Sequence, residues 1–107
     1  MKVMKFGGTS VGKPERMRQV SQLITKDDES TIVVLSALSG TTNALVEISN
    51  SLSKGDRMDA KQKIDKLEAH YRDFVLELVQ KEDTRSKANA FITEHFEFLN
   101  IILRISF

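Results

Sequence analysis

Val3-Met4-Lys5-Phe6-Gly7-Gly8-Thr9-Ser10-Val11 opens the chain as a short strand running into a glycine turn, with one cation just ahead of the paired glycines. The pattern outlines a phosphate cradle. Gly7 and Gly8 can take backbone angles closed to residues with a Cβ, so successive amide N–H groups can converge on an anion with no side chain in the way. Thr9 and Ser10 add hydroxyl donors, and the Lys5 ammonium can neutralise a further oxygen. Pro14 suits the first turn of a helix, whose positive dipole end would face the same anion. A Walker A loop, G-x-x-x-x-G-K-[ST], places its lysine after the glycines, and a dinucleotide fingerprint needs G-x-G-x-x-G; neither pattern is complete here. The alternative is an ordinary strand-to-helix turn with Lys5 solvated.

A second stretch repeats the arrangement. Thr31-Ile32-Val33-Val34-Leu35 is an apolar, β-branched run that reads as a buried strand, and the small polar loop Ser36-Ala37-Leu38-Ser39-Gly40-Thr41-Thr42-Asn43 follows it. If the two strands are parallel, both loops leave one edge of the sheet, the carboxyl edge at which open α/β sheets bind ligands. Ser36, Ser39, Thr41, Thr42 and Asn43 would then offer neutral hydrogen bonds to a small polar substrate. Capping of the next helix by Ser39 or Thr42 is the blander role, and it is compatible with ligand binding because the same free amides serve both.

Taken together, Lys5-Phe6-Gly7-Gly8-Thr9-Ser10-Val11 and the later Val34-to-Asn43 segment resemble the opening of the aspartokinases, a branch of the amino-acid kinase (carbamate kinase-like) fold. The likeness covers residues 2 to about 50 and continues only in kind, as a helical stretch, to Phe107. It implies an α/β fold class: the N-terminal part of an open parallel sheet with helices, followed by a helical segment. It also implies transfer of the ATP γ-phosphoryl group to the side-chain carboxylate of L-aspartate, giving 4-phospho-L-aspartate on the way to lysine, threonine and methionine. By this resemblance Lys5 is the catalytic, phosphate-clamping cation, Gly7, Gly8, Thr9 and Ser10 hold the nucleotide phosphates, and Ser36, Ala37 and Thr42 meet aspartate. Such a site suits phosphoryl transfer, which needs charge neutralisation and in-line positioning more than covalent help. ATP is implied as co-substrate with Mg2+ bridging its phosphates, and no dedicated metal cage is visible in the sequence.

Other members of that fold, the glutamate, acetylglutamate and uridylate kinases, share a Lys-x-Gly-Gly-like loop, but the Phe6-to-Val11 string favours the aspartate branch. Outside enzymes, the helical half would suit an interaction or regulatory module with a vestigial loop. Aspartokinases are longer and carry a later Gly-Glu motif, a nucleotide-binding second half and usually C-terminal ACT domains. Residues 1–107 are therefore read as the N-terminal portion of a kinase domain cut within Ile101-Ile102-Leu103-Arg104-Ile105-Ser106-Phe107, with 1–50 as βαβα carrying both loops and 56–107 as the helical segment. Little activity is expected of this piece alone.

Composition narrows the partners. Sixteen basic against fifteen acidic residues leave a net charge of +1, which argues against nucleic acid. There is no cysteine for disulfides, thiolate chemistry or cysteine zinc sites, which is compatible with the expected cytoplasmic location. No apolar run approaches a membrane span, and no signal core is present. With 40% hydrophobic residues, one modest core is expected. Two parallel strands with open edges invite pairing between copies, so a homo-oligomer is expected.

Helical periodicity fills in the rest. Met17, Val20, Leu23 and Ile24 share one face of a helix from Pro14 to near Asp27-Asp28. Leu45, Val46, Ile48, Ser49 and Leu52 suggest another that closes at Gly55. Ile64, Leu67, Tyr71, Phe74, Val75 and Leu78 mark a long amphipathic helix from Arg57 to about Lys81, with the Lys54-to-Lys66 charges on a solvated face. A last helix is expected from Thr84 as cap, turning Ala88, Phe91, Ile92, His95, Phe98, Leu99 and Ile102 inward. His70 and His95 lack partners at ligand spacing, and Phe91, Phe96 and Phe98 read as core or contact surface.

Overall fold

The structure, a computed structural model, describes residues 1–105, which form β1 (Lys2–Phe6), α1 (Pro14–Ile24), β2 (Thr31–Leu35), α2 (Thr41–Ser53), α3 (Arg57–Leu78) and α4 (Glu82–Ile105). Ser106 and Phe107, the end of the apolar run at which a cut was expected, lie outside the described residues. Two compact units result, one ending at Thr41 and the other beginning at Thr42.

In the first unit β1 and β2 pair in parallel, in register from Lys2 opposite Thr31 to Phe6 opposite Leu35. Parallel neighbours need a crossover, and α1 supplies it. Pro14 stands at its first turn, where no backbone donor is lost, and Glu15 favours the positive dipole end. The helix stops sooner than expected. The Thr25 N–H and hydroxyl both donate to the Ser21 carbonyl, at 3.1 and 2.9 Å. Asp27 instead serves the entry to β2: it accepts from Lys2 Nζ at 2.8 Å and from the Glu29 N–H at 3.0 Å. Lys2 N–H donates to the Ser30 carbonyl at 3.0 Å, so the amino edge of the sheet is tied by charge and backbone together.

The strands alternate. Met4, Phe6 and Val33 are half-buried, while Val3 and Lys5 share the open face with Ile32 and Val34. β2 is therefore not the buried strand that its composition suggests: Ile32, Val34 and Leu35 are 48%, 46% and 53% exposed. Two strands with one crossover helix cannot cover both faces of a parallel sheet. On α1, Val20 is buried and Met17 and Ile24 half-buried, but Leu23 stands at the rim of that stripe and is exposed.

The first unit buries Val11 and Val20, and the larger hydrophobic cluster belongs to the second unit. Ile48 of α2, Ala60, Ile64 and Leu67 of α3, and Ile92, Phe96 and Leu103 of α4 make one cluster, with Leu52, Tyr71, Val75 and Leu99 packed against it. The α3 periodicity holds, although the helix ends at Leu78; the Arg85 guanidinium donates to the Val79 and Leu76 carbonyls at 2.8 and 3.3 Å and satisfies its last turn. α4 begins at Glu82, so Thr84 is inside the helix and not its cap, and Glu82 and Asp83 suit its first turn. Its buried stripe is also turned from the expected one. Phe91 and Phe98 are both 65% exposed and His95 is exposed, whereas Ile92, Phe96 and Leu103 face in. Leu45 and Val46 of α2 are likewise exposed.

Between α2 and α3 the chain turns at Gly55, whose φ of +76° is a left-handed value that favours glycine. Asp56 caps α3 by accepting from the Asp59 N–H at 3.0 Å. The buried Ser51 hydroxyl donates to Asp59 Oδ2 at 2.6 Å and accepts from Lys63 Nζ at 2.8 Å, while Lys63 pairs with Asp59 at 2.8 Å. Lys63 is thus part of the elbow, not of a wholly solvated face. Its ammonium, with the Ser51 hydroxyl second, holds the Asp59 carboxyl below its ordinary range, and hydrogen bonding to Asp59 raises Lys63 in turn.

Candidate active site

Because β1 and β2 run parallel, the loops that follow them leave the same edge. The ladder gains one more rung there: the Ser36 N–H donates to the Phe6 carbonyl at 3.0 Å, which locks the second loop to the end of β1 as it begins. The first loop turns at once, the Ser10 N–H donating to the Gly7 carbonyl at 3.0 Å. Arg16, one turn into α1, reaches back to donate through Nη1 to the Thr9 carbonyl at 3.1 Å. In the second loop the Thr41 N–H donates to the Leu38 carbonyl at 3.1 Å, and Gly40 takes a φ of +87° at the third position of that turn. A residue with a Cβ would be strained there.

The two loops lie against each other at backbone distance. A methyl group on Gly8 would stand 3.7 Å from Ser36 Oγ, 3.8 Å from the Ala37 carbonyl oxygen and 3.9 Å from Ser39 Cα. On Gly12 it would stand 3.0 Å from the Gly8 carbonyl oxygen and 3.0 Å from Ser39 Cβ. On Gly7 it would meet nothing within 4 Å. The paired glycines are thus not explained by backbone angles, since the glycines with positive φ are Gly40 and Gly55. Gly7 leaves open space above its backbone, while a methyl on Gly8 would make only ordinary contacts with the neighbouring loop.

Of the expected phosphate group, Gly7 and Thr9 are exposed and Gly8 and Ser10 half-buried around this turn. Lys5 is exposed on the open sheet face beside Val34, and among the described residues its ammonium has no ion-pair or hydrogen-bond partner. The expected substrate group divides. Ser36 and Ala37 sit against Gly8, with the Ser36 amide occupied by Phe6 and its hydroxyl turned to the first loop. Thr42 is an exposed residue in the first turn of α2, within the second unit. Neither it nor Ser39 stands next to the helix start as a cap; Gly40 does.

Three residues escaped the sequence reading: Gly12, Lys13 and Arg16. Gly7, Gly12 and Lys13 meet all of a Walker A spacing except its last position, where Pro14 stands in place of a hydroxyl residue. Lys13 itself is extended and precedes the helix. Residues 5–14 and 35–41 contain no acid, and Lys5, Lys13 and Arg16 against Glu15 of α1 leave residues 5–16 with a net positive charge. Among the described residues no three histidine or acidic side chains gather as a metal-holding group.

A sequence profile described as the Amino acid kinase family matches residues 1–96. The chain belongs to the amino acid kinase family. Over 66 residues it is 42% identical to an aspartate kinase of Pseudomonas fluorescens (strain SBW25), a match covering 59% of this chain and 16% of that protein. Over 45 residues it is 58% identical to aspartokinase 3, chloroplastic, of Arabidopsis thaliana, covering 41% of this chain and 8% of that one. A Haemophilus influenzae protein provisionally named an inactive aspartokinase 3 is 39% identical over 57 residues, 53% of this chain and 47% of its own length. The chain thus spans well under two thirds of these amino acid kinase relatives. The parallel strand pair with its helices agrees with the expected α/β start of that fold. No helix among the described residues is long and apolar enough to cross a membrane.

Proposed function

We propose that this chain carries the phosphate loop and the acceptor loop of an aspartate kinase, transferring the γ-phosphoryl group of ATP to the side-chain carboxylate of L-aspartate. The observation that supports it is the seating of the Gly7–Ser10 turn against Ser36 and Ser39, in two loops that themselves carry no acid. In the reaction a carboxylate oxygen of aspartate forms a bond to the γ-phosphorus as the bond to the β,γ-bridging oxygen breaks and ADP departs. A carboxylate nucleophile has no proton to lose, so no general base is required. The site must neutralise charge and hold donor and acceptor in line. Lys5 would meet the phosphates from the open face of β1, the amides of Gly7, Gly8 and Thr9 and the hydroxyls of Thr9 and Ser10 would cradle them, and Ser36, Ala37 and Thr42 would orient aspartate. Magnesium would arrive with ATP as part of the substrate, and neither loop has a carboxylate to hold it.

Residues 1–107 would be the N-terminal portion of a kinase domain, with 1–50 bringing both loops and 56–107 a helical segment, within a longer, cytoplasmic and homo-oligomeric protein. The small share of each relative that the chain covers supports the reading that these residues are part of a longer protein. The test is ADP release by the full-length polypeptide carrying these residues, measured with L-aspartate, L-glutamate, N-acetylglutamate or uridine monophosphate as acceptor. Release that depends on aspartate alone supports the proposal, and release with another acceptor replaces it by a different kinase. The Haemophilus relative favours one other reading, a folded module with a vestigial loop. No release with any acceptor, from protein with an intact cooperative melt, would select it.

A further inference from the structure

We infer that Gly12, which lies outside the proposed phosphate-binding and aspartate-binding groups, is the positioning residue that sets the gap between the two loops and hence the span across which the phosphoryl group moves. The inference rests on the aspartate kinase reading above. Its basis is steric. A Cβ on residue 12 would lie 3.0 Å from the Gly8 carbonyl oxygen, 3.0 Å from Ser39 Cβ and 3.6 Å from the Thr9 carbonyl oxygen. Non-bonded carbon contacts are most favourable at about 3.5–4.0 Å, so one or both close neighbours must give way.

Neither neighbour can do so by rotating a flexible side chain. The Gly8 carbonyl belongs to the turn closed by Ser10 and Gly7 at 3.0 Å and braced by Arg16 on Thr9 at 3.1 Å. Ser39 Cβ is fixed to a backbone held in the turn that Thr41 and Leu38 close at 3.1 Å. Gly8 and Thr9 belong to the same loop as residue 12 and Ser39 to the other, so a side chain at position 12, backed by the Gly8 carbonyl, pushes the second loop away through Ser39. The other two glycines of this loop behave differently: a methyl on Gly8 would make ordinary contacts at 3.7 Å or more, and one on Gly7 none. Gly12 presents no polar side-chain group to a ligand, and each loop keeps its own binding groups when the gap widens. The loss should thus fall on turnover, which depends on donor and acceptor being held together, and not on the affinity for either substrate.

The experiment is steady-state kinetics of the full-length polypeptide with G12A, G12V, S39G and G12A/S39G. For in-line transfer a misplacement of about 1 Å lowers turnover by roughly 100-fold, which is the loss expected of G12V. G12A should lose less, because a single methyl needs a shift of only a few tenths of an ångström. Both KM values should stay near those of the parent. Removing Ser39 Cβ removes one of the two close contacts, so S39G should recover much of the G12A loss, a coupling that unconnected sites do not show. Parental turnover in G12V overturns the inference, as does a G12A loss that S39G leaves unchanged. If the parent itself releases no ADP with aspartate, the functional reading falls, and Gly12 is then decided by crystal structures of parent and G12V. A wider Gly8-to-Ser39 separation in G12V supports its role as spacer, and an unchanged one refutes it.

Discussion

Replacing Gly7 by alanine separates a glycine kept for its ligand from one kept for the fold. No atom lies within 4 Å of the place where the new methyl would stand, and Gly7 is not one of the positive-φ glycines. The substitution therefore brings neither clash nor strain into the folded chain, while it narrows the conformations open to the unfolded one. Such changes stabilise by about 0.4–1 kcal/mol. In the longer kinase domain of the full-length polypeptide that raises the melting temperature by roughly 1–4 °C. The same methyl fills the space that a phosphate oxygen must enter to sit about 2.9 Å from a backbone N–H. Loss of one hydrogen bond to a charged group costs about 1.5–3 kcal/mol. At a factor of ten for each 1.4 kcal/mol, ATP should bind roughly 10- to 100-fold more weakly. Differential scanning calorimetry and calorimetric titration with ATP, on the full-length polypeptide, give both quantities from one preparation. Unchanged ATP affinity in the alanine variant would show that the phosphates do not sit over Gly7, and a lowered melting temperature would show that the glycine is structural.

Lys5→Ala should lower turnover by about 100-fold or more in steady-state assays, as removal of one charge-stabilising donor does, with the melting temperature unchanged; near-parental turnover would remove Lys5 from the clamp. Thr42→Ala should instead raise the KM for aspartate by about 10-fold, the worth of one hydrogen bond, and leave the KM for ATP alone. Ile64→Ala, at a side chain only 1% exposed in the α3 core, should destabilise by about 2–5 kcal/mol in urea unfolding. Asp59 is held below its ordinary value of 3.8 by Lys63 and then by Ser51, so its contribution is complete above that value and is lost as pH falls through the depressed one. Melting curves of Asp59→Asn from neutral to acid pH should therefore start below those of the parent and converge with them at the acid end.

The parts of the fold that were legible are those where one physical signal acted alone. Two β-branched or apolar runs, each followed by small polar residues, predicted two strands with loops on one edge, and the parallel register bears that out. Ile64, Leu67 and Phe74 announced the buried stripe of α3 because charged residues leave no competing apolar face there. α4 was harder. Phe91, Ile92, Phe96, Phe98 and Leu99 offer more than one apolar stripe, and only packing against α3 selects Ile92, Phe96 and Leu103. Helix starts were misjudged where a hydroxyl residue looked like a cap: α4 begins with Glu82 and Asp83, before Thr84, and Gly40 precedes α2. At the site, the glycine pair stood out; of the reasons attached to it, special backbone angles do not hold, while the open approach does at Gly7. A methyl would meet nothing at Gly7 and only ordinary contacts at Gly8, whereas the tightest approach in the region is at Gly12. The Gly12–Ser39 approach joins segments more than twenty residues apart and leaves no periodicity in the chain, and the Arg16 brace, though only seven residues from Thr9, depends on how the loop folds back on α1.

A crystal structure of the full-length polypeptide with a non-hydrolysable ATP analogue and L-aspartate tests the central claim most directly. The account predicts the triphosphate over Gly7 and Gly8, within hydrogen-bond reach of Thr9 or Ser10 and paired with the Lys5 ammonium, and the aspartate carboxylate facing it from the Ser36–Ala37 side. A triphosphate bound elsewhere, with solvent filling the space above Gly7, would contradict it.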